Sequence, residues 1–318
     1  MIDFFDGVRQ TGGISSFFWE VTARCNQHCP ICYLPEPASH DELPASLISR
    51  LIRELRELHC LTVTLSGGEP FLRPDLLDLI TMFRESGMGV VVFTNGSCVE
   101  NRHLIELARL GVSRLEVTVF STMPEVAAAM GCHDVAHVMQ TVTQAMHLGI
   151  IVTIKTPVTT RNYPSLPELV TWCQQLGLRH QLDPLIQSPE DKHSSPGDLL
   201  EPRQAAQLLG DVTCSCNLSA DTIAMRWDGM LIPCLTIPRP IGRWPQQSLR
   251  EVIESPITRQ VWQQLGELPV RCRSCALVEQ CPRCPGLFHS ECAGEPWPYL
   301  CDIAQAQADE RHKAKRLR

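Results

Sequence analysis

Cys25, Cys29 and Cys32 lie in the run Thr22-Ala23-Arg24-Cys25-Asn26-Gln27-His28-Cys29-Pro30-Ile31-Cys32-Tyr33, with three and then two residues between the thiols. A short loop so spaced can wrap one cubane iron–sulfur cluster and ligate all but one of its irons. An iron without a protein ligand can do chemistry, whereas a cluster held by a full set of cysteines carries electrons. The competing reading is a structural zinc knuckle completed by His28. Zinc sites, however, favour paired Cys-x-x-Cys spacings from two hairpins, and this triplet occupies one loop.

A second motif, Ser66-Gly67-Gly68-Glu69-Pro70, closes a strand-like run. Glycines at a strand end let the backbone approach a ligand closely, and Glu69 can complement a cationic amine. Thr94-Asn95-Gly96 closes the next strand-like run, and Thr118 lies in the one after it. Cysteines are concentrated again near the C-terminus, at Cys214, Cys216 and Cys234, then Cys272-x-x-Cys275, Cys281-x-x-Cys284, Cys292 and Cys301. Taken alone, Cys272, Cys275, Cys281 and Cys284 fit a zinc ribbon. Cys60, Cys98, Cys132 and Cys173 have no partner in the sequence pattern and read as small buried side chains.

The elements that must position these residues alternate. Strands are expected at Ile14–Ala23, Leu61–Ser66, Gly89–Thr94, Arg114–Phe120, Ile150–Thr156 and Leu178–Asp183. Runs such as Val90-Val91-Val92-Phe93 suit a parallel sheet covered on both faces. Between them Leu47, Ile48, Leu51, Ile52, Leu55 and Leu58 recur at helical spacing, as do Val135, Val138, Met139, Val142 and Met146. Pro74 and Pro164 each open a helix. Strand–helix alternation of this kind implies parallel βαβ units, and six strands fall short of a closed eight-stranded barrel. The expected fold is therefore α/β, a partial (β/α)6 TIM-type barrel over 14–186. A polar linker with a bridging helix follows over 187–213, then a small irregular cysteine-rich domain over 214–302 and a tail over 303–318. With little periodicity, the cysteine-rich domain is expected to lack an apolar core and to fold on its metals.

Composition bounds the rest. The chain has 318 residues, 44% hydrophobic and 20% charged, with a net charge of −7, so no broad basic surface points to nucleic acid. No run approaches the length of a membrane helix, and the acidic start Met1-Ile2-Asp3 does not read as a signal peptide. A cytoplasmic location is expected. There the 16 cysteines suit metal or cluster binding better than disulfides.

The triplet after a strand, followed by Gly67-Gly68-Glu69-Pro70 after the next strand, resembles the radical SAM enzymes. The resemblance implies a 4Fe-4S cluster on Cys25, Cys29 and Cys32, with S-adenosylmethionine on the open iron. It carries cofactor contact onto Gly67, Gly68, Glu69, Pro70, Thr94, Asn95 and Thr118. Relatives usually have an aromatic residue just before the third cysteine; this chain has Ile31 there and Tyr33 just after.

The C-terminal cysteines surround a Gly-x4-Cys step, Trp227-Asp228-Gly229-Met230-Leu231-Ile232-Pro233-Cys234. That step, with the cysteines around it, is similar to the SPASM domain. The likeness implies two auxiliary 4Fe-4S clusters, three clusters in all. Cys272, Cys275, Cys281 and Cys301 would hold the outer one. Cys216, Cys234 and Cys284 would hold the inner one, with Cys214 as a further candidate ligand.

Together the resemblances imply a maturase of ribosomally made peptides, similar to the enzymes of pyrroloquinoline quinone biosynthesis. Such an enzyme would cleave S-adenosylmethionine to a 5′-deoxyadenosyl radical and cross-link or epimerise a peptide or protein substrate. Its electron donor would be a flavodoxin or ferredoxin. Because few residues precede Cys25, leader recognition is expected to fall to a separate protein or to a different surface. Sulfatase-maturing relatives carry an acidic residue after the Gly-x4-Cys cysteine, where this chain has Leu235. The alternatives are a tetrapyrrole-modifying enzyme of the haem pathway and, in another class, a non-catalytic electron relay or redox sensor.

Overall fold

The computed structural model describes residues 13–34, 41–185, 198–210, 222–278, 281–282, 284 and 297–316. Six parallel strands form the main sheet: β1 (Ser16–Thr22), β2 (Thr62–Gly67), β3 (Gly89–Thr94), β4 (Arg114–Thr118), β5 (Val152–Pro157) and β6 (Arg179–Asp183). They lie in chain order, with β6 at one edge, so the barrel is open. The expected strands are all present, and the α/β, TIM-like partial barrel is the observed fold.

Helices α1 (Ile48–Glu57), α2 (Leu76–Glu85), α3 (Asn101–Leu110), α4 (Pro124–Ala129), α5 (Val135–His147) and α6 (Leu166–Gln175) connect the strands. Helix α1 buries Ile48, Leu51, Ile52 and Leu55. Each such side chain contributes about 1.5–3 kcal/mol. The Arg50–Glu54 pair, at 2.8 Å, faces the C-terminal part, where Glu54 Oε2 accepts from Trp244 Nε1 at 3.2 Å and from Leu249 N at 2.8 Å. Packing, not the ion pair, holds the helix to the sheet.

The two-residue period of the strands sorts the barrel interior. Trp19 of β1 meets Phe83 of α2 edge-on, so odd-numbered β1 residues face the helices. Phe18 meets Phe93 of β3 edge-on, and Lys155 of β5 lies over the Phe93 ring. Those three residues face the interior, and the same alternation puts Glu20, Glu116, Thr118 and Asp183 on that inner face.

After α7 (Pro202–Leu209) the sheet continues. Strand β7 (Thr222–Met225) pairs in parallel with β1, and β8 (Met230–Ile232) and β9 (Gly242–Arg243) follow antiparallel. Helices α8 (Leu249–Ile253) and α9 (Pro256–Gly266) close this part. Ile223, Met225, Leu231, Trp244, Val252 and Val261 are fully buried. The expectation that the C-terminal region lacks an apolar core is therefore corrected for residues 222–266. Its strands are too short for their alternation to stand out in the sequence. A 3-10 turn (Val270–Cys272) and further turns occupy 267–278, and α10 (Pro298–Arg316) returns to α7, where Gln307 Nε2 donates to Gly210 O at 2.9 Å. The polar linker 187–197 and Cys214, Cys216 and Cys292 lie outside the described residues. Among the described residues, no helix is long and apolar enough to cross a membrane.

Candidate functional site

A cavity of 420 Å³ opens at the C-terminal ends of the parallel strands. Cys25, Cys29 and Cys32 line it, facing Ser66, Gly67 and Gly68. Thr94, Asn95 and Thr118 also line it, so the structure gathers these predicted residues around one space.

The cluster loop begins where β1 and β2 end side by side. Gly68 N donates to Thr22 O at 2.9 Å, and Glu69 N donates to Arg24 O at 2.8 Å. A Cβ on Gly68 would lie 2.2 Å from Arg24 O, and one on Gly67 would lie 2.2 Å from Thr22 O. Both positions therefore need glycine, and the closeness of the two strand ends is what brings the loop to the cavity. Arg24 Nε donates to Glu42 at 2.9 Å, closing the outer side of the loop.

Within the loop, Gln27 N donates to Cys25 Sγ at 3.4 Å, and Cys32 N donates to Cys29 O at 3.1 Å. Asn95 Nδ2 reaches Cys25 Sγ at 3.8 Å and donates to Asn26 Oδ1 at 3.0 Å. Burial raises the pKa of all three thiols. For Cys29 burial acts first, then the charges of Cys32, Cys25 and Cys132, and together they push it up to about 12. Three thiols so placed ionise together only when a cation compensates them, which is what an iron cluster supplies. The donor set fits such a group. Among the described residues, no three His, Cys, Asp or Glu side chains converge on a site for a single metal ion.

Glu69 takes a different place from the one expected. Its side chain is fully buried and does not line the cavity. Thr94 Oγ1 donates to its Oε1 at 2.8 Å, Asn95 N to its Oε2 at 2.7 Å and Phe71 N to its Oε1 at 3.1 Å. The carboxylate ties the end of β2 to the end of β3. Burial raises its pKa to about 7, against the pull of those three donors. Pro70 is likewise buried, at the start of a 3-10 turn.

Sequence reasoning missed several neighbours. Cys132, from the turn between α4 and α5, is close enough to Cys29 to raise its pKa. Cys98, after β3, has its own pKa raised by burial first, then by the charges of Glu69 and Cys25. Only the folded chain brings those turns to the loop. Asp183, at the end of β6, also lines the cavity, and its Oδ1 accepts from Leu185 N at 3.0 Å. The residue is exposed along the edge strand, yet protein surrounds its carboxyl group. That crowding raises its pKa, while the Leu185 N–H and Lys155 oppose the rise.

The C-terminal region reaches the same space. Leu235 and Thr236, directly after Cys234, line the cavity. Gly229 makes this possible: its φ is +83°, and a Cβ there would lie 2.0 Å from Trp244 O. The tight turn sends β8 back so that Cys234 ends beside the barrel mouth, where its Sγ is 3.4 Å from Thr236 Oγ1. Farther out, Cys275 raises the pKa of Cys301, second to burial, so these two thiols are neighbours. Cys272 N donates to Pro269 O at 2.8 Å, and Cys275 N donates to Cys272 O at 3.2 Å. Cys281 and Cys284 pack against the core.

Comparison with known proteins gives two family matches. The Radical SAM superfamily matches residues 19–172, and SPASM, an iron–sulfur cluster-binding domain, matches residues 216–285. A PqqA peptide cyclase of Ruegeria pomeroyi is 25% identical over 94% of this chain and 88% of its own length. An Fe-coproporphyrin III synthase of Methanosarcina barkeri is 28% identical over 48% of this chain and 39% of its own. The crystal structure of Streptococcus suis SuiB bound to precursor peptide SuiA superposes with a TM-score of 0.72 at 14% identity, covering 92% of this chain and 77% of that one.

Proposed function

We propose that this chain, a radical SAM enzyme with a C-terminal SPASM domain, abstracts hydrogen from a ribosomally made peptide or protein segment and leaves it cross-linked or epimerised. The observation that carries this reading is the shared cavity. Leu235 and Thr236 beside Cys234 close the same space into which Cys25, Cys29 and Cys32 open. The similarity to a PqqA peptide cyclase over nearly the whole chain supports it.

When bound, a 4Fe-4S cluster with S-adenosylmethionine supplies, after one-electron reduction, a 5′-deoxyadenosyl radical able to take hydrogen from an unactivated C–H bond. Cys25, Cys29 and Cys32 would hold that cluster. Cys272, Cys275, Cys281 and Cys301 would hold an outer auxiliary cluster, and Cys216, Cys234 and Cys284, with Cys214, an inner one. Gly67 and Gly68 let the end of β2 lie against the Thr22 and Arg24 backbone, which sets the loop beside the cavity. Thr94, Asn95 and Thr118 offer hydroxyl and amide groups to a ligand there. Ile31, Leu34, Phe93, Phe120 and Leu235 give the cavity apolar walls that exclude water. Asp183 offers the oxygen that Leu185 does not use as an acceptor for a peptide N–H or for a proton. A flavodoxin or ferredoxin would supply the electron, in the cytoplasm, and a separate protein would present the leader.

A tetrapyrrole substrate is the second reading, supported by the match to the Fe-coproporphyrin III synthase. Among the described residues, the cavity lining includes Asp183 and no Lys or Arg. Lys155 stands on the same inner face, over the Phe93 ring, and the similarity to a PqqA peptide cyclase over nearly the whole chain is what favours the peptide. The test is anaerobic reconstitution with dithionite and S-adenosylmethionine, followed by assay for 5′-deoxyadenosine and for mass change in peptides encoded beside the gene and in iron tetrapyrroles, precursors of Fe-coproporphyrin III included. Peptide modification is the expected result; modification of a tetrapyrrole alone would replace this reading with the second.

A further inference from the structure

Tyr33 follows Cys32 directly and borders the cavity. Its hydroxyl donates to Glu20 Oε1 at 2.9 Å. Glu20 is 1% exposed on the inner face of β1. It lies in register with Ser66 of β2, one step before the Thr22–Gly67 pair that opens the cluster loop. Strand β1 is bonded to β2 on one side and β7 on the other, so Glu20 stands on a rigid floor.

The rest of the loop is tied down in other ways. Its first end is held by Arg24, through Thr22 Oγ1 at 3.0 Å and through Glu42. Its middle is held from β3 by Asn95, which reaches Asn26 and Cys25. At the far end, the Cys32 N–H bond to Cys29 O stays inside the loop. The Tyr33–Glu20 bond runs from that end to the barrel. A buried carboxylate needs hydrogen-bond donors to offset its desolvation. Glu20 therefore fixes the phenol as firmly as the phenol fixes the loop.

We propose that Tyr33 is a positioning residue, whose hydrogen bond to Glu20 sets where the Cys32 thiol stands relative to the cavity floor. The proposal rests on the reading that Cys25, Cys29 and Cys32 hold a cluster. Its test has one arm with the cluster and one without. In reconstituted protein, Tyr33→Phe should release iron to a chelator about 10- to 100-fold faster, the usual cost of losing a group that orients a ligand. It should also alter the electron paramagnetic resonance signal of the reduced cluster. In the iron-free protein, iodoacetamide should alkylate Cys32 faster in Tyr33→Phe while Cys25 reacts at the unmodified rate. Glu20→Gln, whose amide oxygen still accepts the phenol, should behave like the unmodified protein, and Glu20→Leu should match Tyr33→Phe.

Unchanged iron release and unchanged Cys32 alkylation in Tyr33→Phe would overturn the proposal. So would equal acceleration at Cys25 and Cys32, which would mean general loosening of the fold. If no variant, nor the unmodified chain, binds iron at the triplet, the cluster reading fails, while the alkylation arm still decides the Tyr33–Glu20 link.

Discussion

The two cysteine-bearing regions are built on different supports. The N-terminal triplet sits on the adjoining ends of β1 and β2. Gly67 and Gly68 lie against Thr22 and Arg24, and Glu69 links β2 to β3. Cys272 and Cys275 lie in a 3-10 turn and the turns after it, where Cys272 N donates to Pro269 O and Cys275 N donates to Cys272 O. Between them, residues 222–266 form strands and helices continuous with the barrel. The loop of Cys25, Cys29 and Cys32 is thus fixed by strand ends, whereas Cys272 and Cys275 rest on short local backbone bonds.

The largest expected effect breaks the comparison at its first half. Cys29→Ala should abolish formation of 5′-deoxyadenosine, measured by chromatography, with little change in the melting temperature of the barrel. Next, removing iron with a chelator should raise amide exchange in residues 267–278 and leave β1–β6 protected, as read by mass spectrometry. Equal loss of protection in both regions would erase the distinction.

Gly68→Ala sharpens the claim that the loop rests on close strand ends. Overpacking of this kind costs about 1–3 kcal/mol, and a Cβ 2.2 Å from a backbone oxygen puts this substitution at the upper end. Denaturant unfolding measures it.

Glu69 gives the most specific effect. Its ordinary value of 4.5 rises to about 7 in the fold. Between those values the folded chain holds more protons than the unfolded chain, so stability falls as pH rises through this window and is level above it. The fall is on the order of 3 kcal/mol. Glu69→Gln should flatten that part of the stability profile of the iron-free protein.

Much of this was legible in the sequence, for physical reasons. Val90-Val91-Val92-Phe93 is a near-continuous apolar run, and with the helical spacing between strands it lets all six strands be placed to within two residues at each end, even the polar β6. The triplet and the glycine pair are local, so their spacing alone points to the site. Strands β7 to β9 have only four, three and two residues, too few for an alternation to show. The direction of the Glu69 side chain was not legible, because nothing in a local motif says which side of a strand end faces solvent. Nor were Tyr33–Glu20, Cys132 and Asp183, since each depends on residues far apart in the chain meeting at the barrel mouth.

The most direct measurement is the yield of 5′-deoxyadenosine from anaerobically reconstituted protein with dithionite and S-adenosylmethionine, compared across two variants. Replacing Cys25, Cys29 and Cys32 together should abolish it, while replacing Cys272, Cys275, Cys281 and Cys301 together should leave a measurable yield. Continued formation without the N-terminal triplet would contradict the account.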